Sequence, residues 1–412
     1  MSVYVHQFEN GLVLLGEQMR SLESAAFTFL VPLGAAYDPV GRRGLCAITC
    51  DMIQRGCGSR SSRQFIDDLE NLGVDGGESV SVAHTSFGGA MLAKNLPAAL
   101  AIYAEMLRKP HLPEDQLEAA RQVAIQELRA VEDEPGQKTM QELRHQFYGD
   151  PWGRSGSGEM SGLEAATIDE VREQFQRGYR PQGTILAVAG KFDWDSLRDE
   201  VGRLFGDWDV PHIGEPKSDA VPSRGTHLEH DSSQTQIGIA YASVPYDHDD
   251  YFQAWGAVGV LSGGMSSRLF TEVREKRGLC YSVYAVCHSL RDRGSVLCYA
   301  GTSAERAQET LDVTVSELRR LTDGVEQVEL DRLKARMKSA LIMQQESSTS
   351  RSASIARDWY QLGRVRSLDE VGRLVDALSC ESINQYLAAH PLGEFTVVTL
   401  GPQALEVSVG TP

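Results

Sequence analysis

A glutamate whose neighbours at helical spacing are all apolar is one of the few side chains in this sequence that could bind a metal or exchange a proton. The positions three and four residues on either side of Glu127 are all apolar, namely Val123, Ala124, Ala130 and Val131. A carboxylate in an apolar stripe is costly unless it is paired, binds a metal or is protonated. Two interpretations follow. Either Glu127 reaches solvent or an arginine, or it belongs to a vestigial site that holds water or a weakly bound ion.

The segment 44–56, GLCAITCDMIQRG, predicts a buried helix, because apolar residues occupy more than one of its sides. Ala47, Cys50 and Asp51 share the remaining face at positions i, i+3 and i+4. Metal ligands at i and i+4 can reach one ion from one helix face. Alanine cannot bind a metal, however, and Asp51 has Arg55 one turn later, which predicts an ordinary helix ion pair.

This helix resembles the zinc-binding helix of the insulinase/pitrilysin family of zinc peptidases, which includes the mitochondrial processing peptidase subunits. That family carries an inverted motif, H-x-x-E-H, in which two histidines bind zinc and the glutamate is the general base. The motif positions here read Ala47, Cys50 and Asp51, whereas the surrounding residues match the family pattern: Gly44, Met52, Arg55 and Gly56. The family's third zinc ligand, a glutamate 76 residues after the last motif position, maps to Glu127. The resemblance therefore implies one ligand of three, no metal or other cofactor in this chain, and no cleavage by the family mechanism on its own.

The segment 266–285, SSRLFTEVREKRGLCYSVYA, resembles the family more closely still. In active members an arginine and a tyrosine seven residues apart hold substrate carbonyls, and the resemblance assigns these roles to Arg274 and Tyr281. A guanidinium and a phenol are suitable donors to an oxygen that becomes an oxyanion. The alternative is structural: Arg274 pairs with a carboxylate and Tyr281 caps a strand. The polar strand 78–87 corresponds to the family's edge strand, which pairs with extended peptide through backbone groups.

The elements that position these residues repeat in two halves. Each half contains helices and short alternating segments and closes with a similar strand, TILAVAG and EFTVVTLG. A proline-punctuated connector, 210–224, separates them. We therefore predict an α+β fold of two similar domains, 1–209 and 225–412, each a mostly antiparallel sheet covered by helices.

The composition excludes some classes of partner. The 412 residues carry a formal net charge of −17, which argues against nucleic acid as a partner because phosphate binding needs a basic surface. No apolar run approaches the roughly 20 residues that span a bilayer, so no membrane partner is expected. The chain has seven cysteines, an odd number that cannot all form pairs within it, and most of them lie in apolar segments. Both observations favour free thiols in a reducing cytoplasm.

The sequence thus predicts a non-catalytic subunit of a heterodimeric zinc endopeptidase. A homologous catalytic subunit would hold the zinc, and this chain would complete a closed peptide-binding chamber for unstructured peptides. The first alternative is a structural or binding protein of the same fold, like the core subunits of respiratory complexes. The second is an atypical hydrolase that uses Cys50, Asp51 and Glu127, which would need a histidine base such as His84.

Overall fold

The computed structural model describes residues 3–211, 214, 216, 223 and 225–407, and all structural statements concern these residues. Most of the predicted linker, 210–224, lies outside them. The chain divides into two compact units. The first comprises Met1–Ala130, Arg154–Ser218 and Met343–Ser367, and the second comprises Val131–Gly153, Asp219–Ile342 and Leu368–Pro412. The units differ from the predicted halves, 1–209 and 225–412, because each unit includes a segment from the other half of the sequence.

The strands of the described residues follow in chain order. They are β1 Val3–Gln7, β2 Val13–Gln18, β3 Ser24–Val31, β4 Gly56–Cys57, β5 Arg60–Ser61, β6 Asp75–Val80, β7 Thr85–Leu92, β8 Ile185–Gly190, β9 Gly225–Glu229, β10 Gln234–Ser243, β11 Cys280–Ser289, β12 Gly294–Ser303 and β13 Thr396–Gly401.

The α-helices of the described residues are numbered in the same way. They are α1 Leu45–Met52, α2 Ser62–Asn71, α3 Leu96–Arg108, α4 Leu117–Glu132, α5 Pro135–Tyr148, α6 Met160–Ala165, α7 Ile168–Gly178, α8 Trp194–Phe205, α9 Tyr251–Ser262, α10 Ala307–Arg320, α11 Gln327–Gln344, α12 Ser348–Leu362, α13 Leu368–Ala377 and α14 Cys380–Ala389. A π-helix, Phe270–Glu275, precedes β11. None of these helices combines the length and the apolar character needed to cross a membrane.

Each unit contains one large sheet, and the first unit also has the two-stranded pair β4-β5. The two large sheets share one topology, in which β2-β8-β3-β7-β6 corresponds to β9-β13-β10-β12-β11, and β1 is an additional edge strand of the first. The first has the strand order β1-β2-β8-β3-β7-β6 and the second has the order β11-β12-β10-β13-β9. In both, the closing strand of the half lies between a parallel and an antiparallel neighbour: β8 between β2 and β3, and β13 between β9 and β10. All other strand pairs are antiparallel. The predicted α+β fold with an internal repeat of mostly antiparallel sheets is confirmed.

Helix α12, from the second half of the sequence, packs on the sheet of the first unit. Its Ile355 and Ala356 are buried against Val13, Leu15, Leu30, Ile185 and Ala187. Arg351 donates two hydrogen bonds to Glu17 on β2, at 2.6 and 3.0 Å, and both side chains are buried. Removing one partner of such a buried pair costs about 3–5 kcal/mol, because the other charge is left without compensation. This pair therefore fixes the position of α12.

Helix α5, from the first half, packs on the sheet of the second unit in the corresponding way. Gly238 on β10 lies against Thr139 and Leu143, and a Cβ at Gly238 would come within 3.3 Å of both side chains. At the end of the helix, the Tyr148 hydroxyl lies 2.7 Å from His288 Nδ1 and 2.7 Å from Ser295 Oγ. The absence of a side chain at Gly238 thus allows the helix to lie close to the sheet, and the hydrogen bonds of Tyr148 hold its end.

The polar segment 78–87 is two strands rather than one. Ser81 follows β6, and its hydroxyl donates to the carbonyl of His84 at 2.8 Å, which closes a turn before β7. Of these two strands, β6 lies at the edge of the sheet and is mostly exposed, whereas β7 lies inside the sheet. The predicted edge strand is therefore β6, Asp75–Val80.

Candidate functional site

A buried aspartate fixes the start of helix α1. The N–H groups of Gly44 and Cys46 donate to the carboxylate of Asp38, at 2.7 and 2.8 Å. These are the first orphan donors of the helix, which need an acceptor when they are buried. Burial raises the pKa of Asp38 to about 6, although the two backbone hydrogen bonds favour its charged form. The orientation of α1 is thus set by an electrostatic cap that the sequence pattern did not indicate.

The two glycines that match the family pattern have structural reasons to be glycine. Gly44 has a φ of +102°, and a Cβ there would lie 2.5 Å from a methyl group of Leu163. Gly56 has a φ of +101°, and its Cβ would lie 2.8 Å from a ring nitrogen of His111. Residues other than glycine rarely adopt such φ values. Packing therefore accounts for the glycines at both ends of the segment without any reference to catalysis.

The three positions that correspond to the motif lie on α1 with different environments. Ala47 and Asp51 are half-buried and lie one helical turn apart, while Cys50 is buried with 4% exposure. Arg55 makes an ion pair with Asp51, as the spacing predicts. The helix therefore presents a methyl group and a paired carboxylate where the resemblance has imidazoles in the family.

Glu127 on α4 is exposed and does not lie in a buried apolar stripe. The neighbouring Val123 is 43% exposed, and Ala130 is exposed as well. Among the described residues no cation lies within ion-pair distance of Glu127, so the predicted arginine partner is wrong and the solvent-reaching interpretation is confirmed. Its pKa is nevertheless raised, first by partial desolvation and then by the negative charges of Asp51 and Glu78.

Three carboxylates of the first unit, Asp51 on α1, Glu127 on α4 and Glu78 on the edge strand β6, thus act on one region electrostatically. Burial raises the pKa of the Cys50 thiol well above its ordinary value, and the charges of Glu78, Asp51 and Glu127 raise it further. A thiol that stays protonated is a poor nucleophile and a poor metal ligand. Within the described residues, no three metal-binding atoms of this cluster lie within 4.8 Å of one another. The geometry does not support a metal site or hydrolase built on Cys50, Asp51 and Glu127.

His84, the candidate base for such a hydrolase, is engaged elsewhere. Its ring packs edge-on against Tyr360, with centroids 5.2 Å apart. Burial lowers the pKa of His84 to about 4, so the ring is neutral at pH 7. The structure gives this histidine a packing role.

In the second unit, Arg274 and Tyr281 lie in direct contact. Arg274 belongs to the π-helix, and its guanidinium carbon lies 4.9 Å from the centre of the Phe270 ring and 5.1 Å from the centre of the Tyr281 ring. Such contacts hold a guanidinium by its faces and leave its N–H edges available. The alternative expectation, a carboxylate partner for Arg274, is not met, because no described carboxylate lies within ion-pair distance of it.

The other basic side chains near Arg274, namely Arg268, Lys276 and Arg277, each have a carboxylate partner. Arg268 makes two hydrogen bonds to Glu329, both at 2.7 Å. Lys276 and Arg277 both pair with Glu272, at 2.7 and 2.8 Å. Arg274 is thus distinguished from its neighbours by an uncompensated charge.

Tyr281 owes its direction to an irregularity in β11. The register shifts between Cys280, opposite Thr302, and Ser282, opposite Gly301, so that Tyr281 is left without a cross-strand partner. A bulge of this kind re-aims a side chain at the edge of a sheet. Tyr281 is 86% exposed, which is unusual for a large aromatic residue and leaves its hydroxyl in solvent.

Besides Asp38, two residues of these sites were not found from the sequence. Phe270 lies four residues before Arg274, and this helical spacing could have predicted the contact between the ring and the guanidinium. Glu78 reaches the α1 cluster only because β6 packs beside α1, and no spacing in the sequence encodes that contact.

The chain is similar to one known family over most of its length. Residues 14–154 match the sequence model of Insulinase (Peptidase family M16), and residues 165–337 match that of the Peptidase M16 inactive domain. Among curated proteins, an uncharacterized zinc protease of Bacillus subtilis is 26% identical over 385 residues, covering 91% of this chain and 92% of the relative. An uncharacterized zinc protease of Rickettsia bellii is 25% identical, covering 97% and 98%.

Solved structures share the fold over nearly the whole chain. A peptidase M16 inactive domain from Pseudomonas fluorescens has a TM-score of 0.90 at 22% identity, covering 99% of this chain and 100% of its own. A chain of complex III2 from Candida albicans has a TM-score of 0.80 at 17% identity, covering 97% and 96%. The two sequence models belong to one family and together match most of the chain. The protein therefore belongs to the insulinase family, peptidase family M16, and its sequence lacks that family's H-x-x-E-H motif.

Proposed function

We propose that this chain is the non-catalytic subunit of a heterodimeric zinc endopeptidase. A homologous catalytic subunit supplies the zinc and the general base, and this chain completes a closed chamber for unstructured peptides. The observation that carries the proposal is the Arg274–Tyr281 pair, a cation without a carboxylate partner beside an exposed phenol. Neither side chain has a structural task that would explain it. Because all seven cysteines are unpaired, we place the complex in a reducing cytoplasm.

In this proposal the pair donates hydrogen bonds to substrate carbonyls and to the oxyanion that forms at the scissile bond. The rings of Phe270 and Tyr281 hold the guanidinium in one plane before substrate arrives. Donors that are already oriented stabilise developing charge without reorganisation, and removing one such donor costs about 10²–10³-fold in rate. The planar guanidinium also satisfies two acceptors at once, which an ammonium cannot do in the same geometry.

The edge strand β6 supports the peptide-binding part of the proposal. It lies at the end of its sheet, and five of its six residues are exposed. An extended peptide can add to such an edge through backbone hydrogen bonds, which require no particular side chains. The same strand carries Glu78, whose charge favours basic over acidic residues in a bound peptide.

The test is reconstitution with an insulinase-family chain of the same organism that carries H-x-x-E-H. Mixing the two purified chains should raise cleavage of a fluorogenic peptide strongly over either chain alone. Arg274→Ala with Tyr281→Phe should lower kcat of the complex by about 100-fold or more while the two chains still associate. Arg274→Lys keeps the charge but not the planar fork, and should recover only part of the loss.

Arg277→Ala is the matched control, because it removes a neighbouring arginine that already pairs with a carboxylate, Glu272. It should leave kcat within about twofold. If the Arg274/Tyr281 variant activates the catalytic chain as well as the parent does, the pair does not bind substrate and this proposal is wrong.

The second candidate function is structural, and the fold shared with a chain of complex III2 favours it. A chain with that role would join an assembly without assisting turnover. It would form its complex normally, yet no combination with an H-x-x-E-H chain would cleave peptide faster than that chain does alone.

A further inference from the structure

Two histidines and an aspartate of the second unit meet at the ends of two helices. His248 and Asp250 lie in the turn that leads into α9, and His390 follows the last residue of α14. One ligand atom from each of the three lies within 4.8 Å of the other two. All three belong to described parts of the chain, and the site is outside the region that resembles the family's zinc helix.

The hydrogen bond of His390 prepares its ring for a metal. His390 Nδ1 lies 3.1 Å from the carbonyl oxygen of Tyr386, so this nitrogen carries the proton and donates it. The lone pair of Nε2 is then free. A histidine ligand characteristically donates its second ring nitrogen to a carbonyl or carboxylate, which fixes both tautomer and orientation. The Tyr386 ring also stacks on His390, with centroids 4.7 Å apart, and restricts its rotation.

The carboxylate of Asp250 does not make the capping hydrogen bond that is usual at its position. Asp250 is the N-cap of α9, a position at which aspartate usually accepts a hydrogen bond from the helix, but its side chain makes no such bond. Its Oδ2 lies instead 3.9 Å from His248 Nδ1. No described lysine or arginine pairs with it. An aspartate that forgoes the cap and faces an imidazole is placed as a ligand would be.

The surroundings favour a cation. Asp247 and Asp249 flank His248, and both are exposed. His390 lies at the C-terminal end of α14, where the helix dipole is negative. One feature opposes binding: His248 Nδ1 accepts the N–H of Asp250 at 3.0 Å, and an ion that used this nitrogen would displace that bond. We therefore expect an affinity below that of a closed four-ligand site.

We propose that His248, Asp250 and His390 form a binding site for a divalent transition-metal ion of the zinc type, with water completing its coordination. Two imidazoles and one carboxylate suit zinc, nickel or copper, whereas magnesium and calcium prefer all-oxygen sites. The ion joins the start of α9 to the end of α14, so it stabilises the folded second unit. This inference does not depend on the proposed function.

The test uses the full chain after removal of metal by a chelator and dialysis. Zinc titrated in a calorimeter should bind at one ion per chain and raise the melting temperature, while magnesium and calcium should do neither. Cobalt provides the second readout: a tetrahedral d–d spectrum without a thiolate charge-transfer band would show that none of the seven cysteines binds the ion. Because α1 lacks both imidazoles of the family motif, zinc bound to the isolated chain reports on other residues.

His248→Ala, His390→Ala and the isosteric Asp250→Asn should each weaken zinc binding at least about tenfold, without changing the circular dichroism spectrum. His6→Ala, in the first unit, is the control and should bind zinc like the parent. The proposal is overturned by the absence of zinc binding at millimolar concentration, by a thiolate band, or by unchanged affinity in the three variants.

Discussion

Helix α1 and the segment 270–281 both resemble the insulinase family, but packing explains only one of the resemblances. On α1 the residues that match are the ones with structural tasks, such as Gly44 and Gly56 at positive φ in crowded surroundings. The positions that carry chemistry in the family have changed. In the segment 270–281 the matching side chains are exposed or unpaired: Tyr281 is 86% exposed and Arg274 has no carboxylate partner.

The comparison separates two reasons why a residue matches a family pattern. A glycine that the backbone conformation and the packing require indicates that the fold is kept, but it gives no information about activity. An exposed tyrosine and an uncompensated arginine stabilise the fold little, so their presence calls for another explanation. The first unit is therefore best understood as a scaffold, whereas the proposed function assigns the substrate-binding side chains to the second.

The largest expected effect comes from rebuilding the lost ligands of α1. Ala47→His with Asp51→His places two imidazoles one turn apart on half-buried positions, and the charge of Asp51 already acts on Glu127. If the first unit is an intact scaffold, this variant should bind one zinc ion per chain more than its parent. The measurement is zinc stoichiometry in a His248→Ala/His390→Ala background, so that only α1 is reported.

Ala47→His alone is the control and should bind zinc at least about tenfold more weakly than the double variant. Adding Glu127→Gln to the double variant should also weaken binding, because it removes the third ligand. No gain of zinc in the double variant would mean that α1 and α4 have moved apart, and that the first unit is no longer a scaffold for a metal site.

A smaller effect is expected from the glycine at the start of α1. Gly44→Ala places a Cβ 2.5 Å from Leu163 in a residue with a φ of +102°. Both strain and overpacking are unfavourable, and together they should lower the free energy of unfolding by about 3 kcal/mol. Chemical denaturation of both proteins measures the difference.

Gly41→Ala is the matched control, since Gly41 also has a positive φ, +75°, but no atom lies within 4 Å of its Cβ position. It should cost about 1 kcal/mol, from backbone strain alone. Equal losses in the two variants would show that packing against Leu163 does not explain the glycine, and the scaffold interpretation would lose its main support.

The sequence predicted the elements with clear apolar patterns, and it missed helices α12 and α5, each for a different reason. The repeated sheets and α1 follow from apolar patterns and glycine positions. Helix α12 was missed because its buried residues include Ser348, Arg351, Ser352 and Asp358, which hide the helical periodicity. Helix α5 was missed although Pro135 at its start and Met140, Leu143 and Phe147 at helical spacing were readable signals.

The candidate site shows the same division. The motif positions, Glu127 and the Arg274–Tyr281 pair were all located by spacing and resemblance. Three-dimensional neighbours were not: Asp38 caps α1 and Glu78 faces Glu127 only through the packing of separate elements. Of the alternatives for Glu127, the structure shows the exposed side chain. The sequence left this open, because a run of alanine and valine on a helix does not reveal which side faces solvent.

The smallest expected effect concerns the charge of that carboxylate cluster. Partial desolvation, and then the charges of Asp51 and Glu78, raise the pKa of Glu127 in the folded protein. The folded state therefore binds more protons than the unfolded state just above pH 4.5. Stability contributed by Glu127 therefore falls as pH rises through this window, and its charge destabilises the fold at pH 7. Glu127→Gln should raise the free energy of unfolding at pH 7 by a few tenths of a kcal/mol, after allowance for solvent screening at this exposed position.

The gain should vanish below about pH 4, where Glu127 is protonated in both states, and it should shrink in 1 M salt because screening weakens repulsion between exposed charges. Glu9→Gln, at another exposed glutamate without a described ion pair, should change stability at neither pH.

The same substitution should have the opposite effect in the variant that binds zinc on α1. In the Ala47→His/Asp51→His variant, bound zinc would make the charge of Glu127 favourable, so Glu127→Gln should then be destabilising. A change of sign between the two backgrounds would show that one carboxylate is a cost in the present chain and a ligand in the rebuilt site.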